Sequence, residues 1–194
     1  MRRIQTTLTA TLATSILTAC GGGGGGGDST QQSGPLDKYV RSYTYCEGHE
    51  KAQLTIAAVN SNTVSVSQRS DYYQETNCAG AVVGTETNSQ SLLATYVSTE
   101  TATVTGWPAV ASSARYSVDR VTINLPAYTV SLTGSGVSII GGQPCVSYTG
   151  GRVCLNQTSI PAQTFPAGFV LTDTALLMVE PTSTGYERVD AYPR

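Results

Sequence analysis

The sequence predicts an all-β fold, an antiparallel β-barrel or β-sandwich with roughly nine to eleven strands. Apolar and polar residues alternate with a period of two along several segments, and no long segment places apolar residues at helical spacing. Clusters of Gly, Pro, Asn and Ser separate these segments at intervals typical of sandwiches and barrels. A barrel is favoured over a sandwich because closure leaves no unpaired edge strand.

The first predicted hairpin lies near the start of the domain. Leu54 and Ile56 share one face of a strand, and Val64 and Val66 lie on the returning strand after a turn at 60–62. Further strands are predicted over three segments, which are 128–132, 176–180 and 187–192. The last two segments form a hairpin around a turn at 181–185, and most of the predicted strands are joined in this way.

The central segment predicts a β-bulge. Tyr116 and Val118 follow one parity of the alternation, whereas Val121 and Ile123 follow the other. One extra residue between the two pairs would keep all four side chains on the same face of the sheet.

Four cysteines predict two disulfide bonds. Cys46, Cys78, Cys145 and Cys154 form an even set, as expected in an oxidising compartment. Three connectivities are open to them. A zinc site of four thiolates is the alternative, but no two of these cysteines have the C-x2-C spacing of such sites.

Local geometry favours one disulfide connectivity. A tight turn at 149–150 would place Cys145 opposite Cys154 across a hairpin, at roughly the 4.5–5.5 Å Cβ separation of facing residues. The pair Cys46 and Cys78 then follows by elimination.

The first residues predict a secretory leader. Arg2 and Arg3 make its start positive, and 8–19 is a weakly apolar stretch too short to span a bilayer. The end of this stretch and the residue after it resemble the bacterial lipobox. The four residues are Leu17, Thr18, Ala19 and Cys20. This resemblance implies cleavage after 1–19 and acylation of Cys20, with palmitate among the acyl chains. Three chains make release from a membrane negligible, since each buried methylene adds about 0.8 kcal/mol. The alternative is a plain secreted protein with a cysteine near its cleavage site.

Residues 20–35 predict a flexible linker between the lipid and a single β-rich domain at 36–194. The run 21–27 is all glycine and 28–35 has almost no apolar side chain, so the segment cannot offset its own ordering entropy. As a Gly/Ser coil it spans about 20 Å. Glycine directly after the lipidated cysteine resembles outer-membrane lipoproteins, and the glycine run resembles the linkers of surface-displayed ones. We therefore expect an outer-membrane anchor on the periplasmic or the cell-surface side.

The opening of the domain resembles small uncharacterised β-rich, cysteine-containing outer-membrane lipoproteins of Gram-negative bacteria. The resemblance is carried by an aromatic strand at 37–46 that ends in Cys46, and by the aromatic segment 70–73 with Cys78 downstream. It covers about the first fifty residues of the domain. Members typically have Gly and Trp where this chain has Arg41 and Tyr43.

The composition of the chain limits the classes of partner that it is expected to bind. A formal net charge of −2 argues against nucleic acid, which requires a basic surface. It also leaves the lipid on Cys20, and no polybasic patch, as the membrane contact. No cofactor motif is present, and we expect a monomer.

The sequence contains few residues or motifs that are typical of catalytic sites. His49 is the only histidine, and we expect it in a solvated loop beside a disulfide. The chain lacks a Gly-x-Ser-x-Gly elbow and a phosphate loop. The remaining carboxylates are expected on polar strand faces and include Asp71, Glu75, Glu86, Glu100, Asp119, Glu180, Glu187 and Asp190. Two of them in one cleft would instead indicate a glycan hydrolase.

Tyrosines interleaved with arginines are the candidate ligand site. Tyr39, Arg41, Tyr43 and Tyr45 are predicted on one strand face, with a second group at Tyr186, Arg188 and Tyr192. Such faces stack on sugars or apolar ligands, although the same pattern is typical of a packed amphipathic strand. The leading hypothesis is a non-enzymatic lipoprotein that binds a small apolar, glycan or protein ligand. The alternatives are a structural or lysozyme-inhibitor-type module and an envelope glycan hydrolase.

Overall fold

A computed structural model describes residues 34–106 and 114–194, and these ranges are all-β, as predicted. They contain one 3-10 turn at Asp37–Tyr39 and the following strands: β1 Arg41–Glu47, β2 Glu50–Asn60, β3 Thr63–Glu75, β4 Ala79–Asn88, β5 Leu92–Thr105, β6 Arg115–Leu125, β7 Tyr128–Thr133, β8 Val137–Ile140, β9 Gln143–Tyr148, β10 Gly151–Cys154, β11 Ser159–Ile160, β12 Gln163–Leu171, β13 Ala175–Thr182 and β14 Gly185–Pro193. The count exceeds the prediction because short strands such as β8, β10 and β11 are too brief to show a periodic pattern. The described ranges hold no helix long and apolar enough to cross a membrane.

Eleven strands form one large sheet, and β8, β9 and β10 form a small antiparallel one. In the large sheet the pairings run from β5 through β6, β12, β13 and β14. Strand β14 then pairs in parallel with β5, where Tyr186 faces Val104. Strand β5 also pairs with β3. One edge of β3 pairs with β2, which pairs with β1. The other edge of β3 also pairs with β4, which is followed in the sheet by β7 and β11.

Strands β12 and β13 separate two hydrophobic cores. Phe169 and Leu176 face the first core, whereas Val170 and Leu177 face the second. Gly168 also faces the second core, and a Cβ there would lie only 2.6 Å from Cγ1 of Val118. Both faces of these strands are therefore apolar, as in any strand covered on two sides.

The predicted bulge in the central strand is wrong, because the parity change has a different cause. In β6, Val118 lies in the second core, and Val121 and Ile123 lie in the first. The register shift in this pairing lies in the neighbouring strand β5, between Tyr96 and Ser98. Strand β6 is thus regular and passes from one core to the other.

One end of the first core, here called the closed end, is covered by the 3-10 turn. Leu36 and Tyr39 are fully buried there. The Tyr39 hydroxyl donates to Oδ2 of Asp119 at 2.5 Å and to the carbonyl of Phe169 at 3.1 Å. Burial, helped by Asp119, raises the pKa of Tyr39. This hydroxyl therefore stays protonated and anchors the turn.

The chain enters the domain beside the turn between β2 and β3. A Cβ on Gly34 would lie 1.8 Å from the carbonyl oxygen of Ser61, so only glycine fits at this entry. The leader 1–19, Cys20 and the linker up to residue 33 lie outside the described residues, and the predictions about them stay predictions.

Both disulfides are present with the predicted pairing. Cys46 bonds to Cys78, and Cys145 bonds to Cys154. The second pair lies directly opposite across the β9–β10 hairpin, whose turn has Gly150 at φ 81°. The small sheet packs on β3 and β4 through Val146, which contacts Gly84 so closely that a Cβ there would lie 2.4 Å from its Cγ2.

Candidate functional site

A cavity of about 440 Å³ lies at the other end of the first core, here called the open end. Leu54 lines it two residues along β2 from the core residue Ile56, and Val66 does so beside Val64 in β3. Its apolar walls also include Leu92, Leu125, Val130, Leu155, Ile160, Phe165 and Met178. The apolar side chains of the first core thus continue into the floor of the cavity.

Two glutamates lie on the β2–β3–β4 wall of the cavity. Ser70 pairs with Ala52 on one side and with Glu86 on the other, which places Glu50 and Glu86 on either side of it. The Ser70 hydroxyl donates to Oε1 of Glu50 at 2.6 Å. The Tyr72 hydroxyl donates to Oε2 of Glu86 at 2.9 Å. These bonds orient both carboxylates within the wall.

Asp190 supplies a third carboxylate on β14. Burial raises its pKa, against the backbone hydrogen bond from Ala191, the Tyr192 hydroxyl and the charge of Arg188. The Ala191 amide donates to Oδ1 of Asp190 at 2.8 Å. The ionised form of this side chain is thus disfavoured by its surroundings and would be favoured by a cation nearby.

Tyrosine rings lie between the carboxylates. Tyr45 and Tyr192 meet edge to face, with ring centroids 5.5 Å apart. Burial raises the pKa of both phenols, and the charges of Asp190 and Glu50 raise them further. Two carboxylates from different strands therefore act on the same pair of rings.

Tyr128 extends this arrangement on the far wall. Burial raises its pKa, and the charge of Glu86 adds to the effect. Three carboxylates and three phenols therefore share the lining of the open end, and the set is named here the acidic arc: Asp190, Tyr192, Tyr45, Glu50, Glu86 and Tyr128. Side-chain amides complete the polar lining at Gln68, Asn88, Gln90, Asn156, Gln157 and Gln163.

A segment following the short disulfide closes one side of the cavity. Residues 153–157 line it, and Cys154 within them is bonded to Cys145. The Leu155 amide also donates to the carbonyl of Pro144 at 2.9 Å. The small sheet therefore holds one wall of the pocket.

Of the four predicted ligand-site residues, only Tyr45 lines the cavity. Tyr39 lies in the 3-10 turn and not on the strand. Tyr43 is buried and donates its hydroxyl to the carbonyl of Tyr39 at 3.1 Å. Arg41 is exposed, with its guanidinium carbon 5.8 Å from the Tyr43 ring centroid. That the four bind a ligand stays a prediction, but the structure does not bring them together at one pocket.

The second predicted group is divided by a bulge. In the β13–β14 pairing, Asp190 faces Met178 and Arg188 faces Val179, so one residue of β14 is extra. Tyr186 consequently lies in the second core and Tyr192 in the first. They do not share a face.

His49 does not line the cavity. It lies in the turn between β1 and β2, where its ring stacks on Tyr148 with centroids 4.1 Å apart. Its Nδ1 is 3.2 Å from the carbonyl oxygen of Tyr73. His49 therefore lies in the predicted loop beside the Cys46–Cys78 disulfide, but it is half-buried in local packing and not fully solvated as expected. In the part of the chain that the structure describes, no three His, Cys, Asp or Glu side chains are placed to hold a metal ion.

Glu86 and Asp190 are predicted from the sequence only as scattered carboxylates, and Glu50 is not among the residues named there. A local signal exists for one of them, since Glu50 shares its strand parity with Ala52 and Leu54. The other two reach the cavity through strand pairings that one sequence does not reveal.

Comparison of the chain with protein-family models, with curated proteins and with solved structures finds no match.

Proposed function

We propose that this protein is a lipid-anchored outer-membrane lipoprotein that binds a small ligand in the cavity at the open end, without catalysing a reaction. The cavity carries the proposal, because it combines an apolar floor with a polar rim, as ligand pockets do. A purely structural or inhibitory module needs no such cavity, so the pocket favours ligand binding over that alternative.

The proposal includes a barrel around the first core. Strands β1, β2, β3, β5, β6, β12, β13 and β14 are successive hydrogen-bonded neighbours, apart from β14 and β1. These last two strands are in contact, and the Tyr45–Tyr192 ring pair joins them. The 3-10 turn covers the closed end of such a barrel, and the cavity is its mouth.

The position of the chain entry supports an outward-facing cavity. Gly34 lies at the β2–β3 turn, and the cavity begins at Leu54, six residues from Asn60 along β2. At about 3.3 Å per residue this separates the two by roughly 20 Å. A lipid on Cys20 would therefore hold the closed end nearer the membrane and leave the cavity open to the aqueous phase.

Mass spectrometry of the full-length chain from a Gram-negative envelope tests both parts of the proposal. We expect acylation at Cys20 that is lost in Cys20→Ser, together with a retained small molecule. Gln68→Trp fills the rim and should remove the retained molecule. Gln53→Trp, on the opposite face of β2, is the matched control and should keep it. A molecule retained equally by both variants contradicts a site in this cavity.

The cavity also supports a second candidate function, an envelope glycan hydrolase. Glu50, Glu86 and Asp190 share one cavity, and a carboxyl with a raised pKa is suited to act as a general acid. Release of new reducing ends from purified peptidoglycan, lost in Asp190→Asn, would favour this candidate. Our proposal expects no release above the rate of a heat-denatured sample.

A further inference from the structure

We propose that the ligand is a small organic cation, with an ammonium or guanidinium group on an apolar body. This inference rests on the proposed function and names the ligand class of the same cavity. The cavity is the site, and the acidic arc determines which charge it accepts.

The charges around the cavity are unbalanced. Glu50, Glu86 and Asp190 line it, and no lysine or arginine does so among the residues described at 34–106 and 114–194. Arg188 lies in the adjoining groove and acts on Asp190. Lys51 points to the other face of β2, where its charge acts on Asp71. Among the described residues the lining thus carries three carboxylates and no cationic side chain, and these carboxylates would attract a cationic ligand.

The aromatic rings favour the same ligand charge. Tyr45, Tyr128 and Tyr192 lie in the acidic arc, and a cation over a tyrosine ring is attracted by its quadrupole. The raised pKa values of these phenols keep them neutral at physiological pH, so the hydroxyls donate and accept hydrogen bonds without adding charge.

The floor and the size of the cavity indicate an organic ion. The floor consists of apolar side chains, among them Leu54, Val66 and Phe165. Because these side chains supply no oxygen ligand, a bare metal ion would be incompletely coordinated on that side. The described residues also provide no cluster of three metal-binding side chains. A volume of about 440 Å³ lies within the range of small-molecule sites. Anionic ligands such as phosphates or fatty acids would be repelled by the carboxylates.

A matched series of probes tests the inference on the full mature chain. The probes 3-phenylpropylamine, 3-phenylpropanol and 3-phenylpropionate have the same apolar body and differ only in the charge of one end. Chitobiose is added as a neutral sugar. Chemical-shift changes in two-dimensional NMR spectra report saturable binding even when it is weak. We expect the amine to bind about tenfold more tightly than the alcohol, and the carboxylate to show no saturable shift.

Conservative variants test whether the acidic arc causes the preference for the amine. Glu50→Gln and Glu86→Gln keep an acceptor for Ser70 and Tyr72, so the fold should survive, which a thermal melt checks. Each should weaken amine binding about three- to tenfold and leave alcohol binding unchanged. Asp173→Asn, at an exposed carboxylate outside the cavity, is the control and should change neither.

The outcomes separate this inference from the proposed function. Binding of the alcohol or of chitobiose at least as tightly as the amine overturns the cationic ligand and leaves the binding function standing. Equal amine affinity in the glutamine variants also overturns it. If none of the four probes binds, the cationic ligand is overturned. If the envelope-derived chain also retains no molecule, the proposed binding function fails with it.

Discussion

The two ends of the first core use the same residue types for opposite purposes. At the closed end, Asp119 is 1% exposed and is bound by the Lys38 ammonium at 2.6 Å, by the Tyr39 hydroxyl and by Thr99 Oγ1 at 2.5 Å. At the open end, Asp190 and the two glutamates face a cavity whose described lining has no lysine or arginine.

This difference separates a structural carboxylate from a binding one. A buried carboxylate with a cation and two hydroxyl donors has its charge compensated within the protein, so it stabilises the native state. A carboxylate that lines a cavity can in addition pair with an external cation. Tyrosine accompanies the carboxylates at both ends, so tyrosine alone does not identify the site.

Removing the closed-end carboxylate should give the largest effect. Asp119→Ala removes the buried carboxylate that Tyr39, Thr99 and Lys38 share, and we expect a loss of about 3–4 kcal/mol in the free energy of unfolding. Urea denaturation measures it. Lys38→Ala is the matched comparison and should lose less than about 1 kcal/mol, because the Lys38 side chain is 47% exposed. Equal losses would show that the ion pair, and not the hydroxyl network, anchors the turn.

The next effect comes from the disulfide at the open end. Cys145→Ser with Cys154→Ser opens a loop with a sequence separation of 9, for which the chain-entropy model predicts about 2–3 kcal/mol of lost stability. Because residues 153–157 form one wall of the cavity, probe affinity should fall as well. The control is Cys46→Ser with Cys78→Ser, whose longer loop should cost about 3–4 kcal/mol in stability while probe affinity stays unchanged at temperatures where the protein is folded.

The fold was predictable where its determinants are local. The hairpin turn at Ser61–Asn62 and the disulfide between Cys145 and Cys154 both depend on residues close together in sequence. The central strand β6 shows the limit of this reasoning. An alternation that changes parity has the same appearance whether the strand bulges or passes between two cores, and only the packing of Val118 and Val121 distinguishes them.

The site was less predictable for a related reason. Glu50, Glu86 and Asp190 come from β2, β4 and β14, so their proximity depends on strand pairings distant in sequence. The tyrosines of β1 also look alike in the sequence. Tyr43 packs in the core and Tyr45 lines the cavity, although the two lie on the same face of one strand. Position along the first core, from the closed end to the open end, decides which role each has, and alternation carries no information about that position.

The smallest effect expected is a gain in stability at the open end. Because the pKa of Asp190 is raised above the ordinary value of 3.8, the folded state holds its proton more tightly than the unfolded chain. The stabilisation from this group is full below pH 3.8 and is lost as pH rises through the folded-state pKa. The Asp190→Asn variant has no proton to lose at this position. We therefore expect its free energy of unfolding at pH 7 to exceed that of the wild type by no more than about 1 kcal/mol.

Urea denaturation at several pH values measures the difference, which should shrink as the pH falls towards 4. In the closed-end comparison Asp119→Asn should instead be destabilising at pH 7, because an amide holds Lys38 and the two hydroxyls less strongly than a carboxylate does. Opposite signs for the two changes in the free energy of unfolding would establish that Asp119 stabilises the fold at pH 7, whereas Asp190 destabilises it. Such a destabilising effect is expected of a residue kept for binding. A loss of stability in Asp190→Asn would show that Asp190 too is a structural carboxylate, and the acidic arc would then rest on the two glutamates alone.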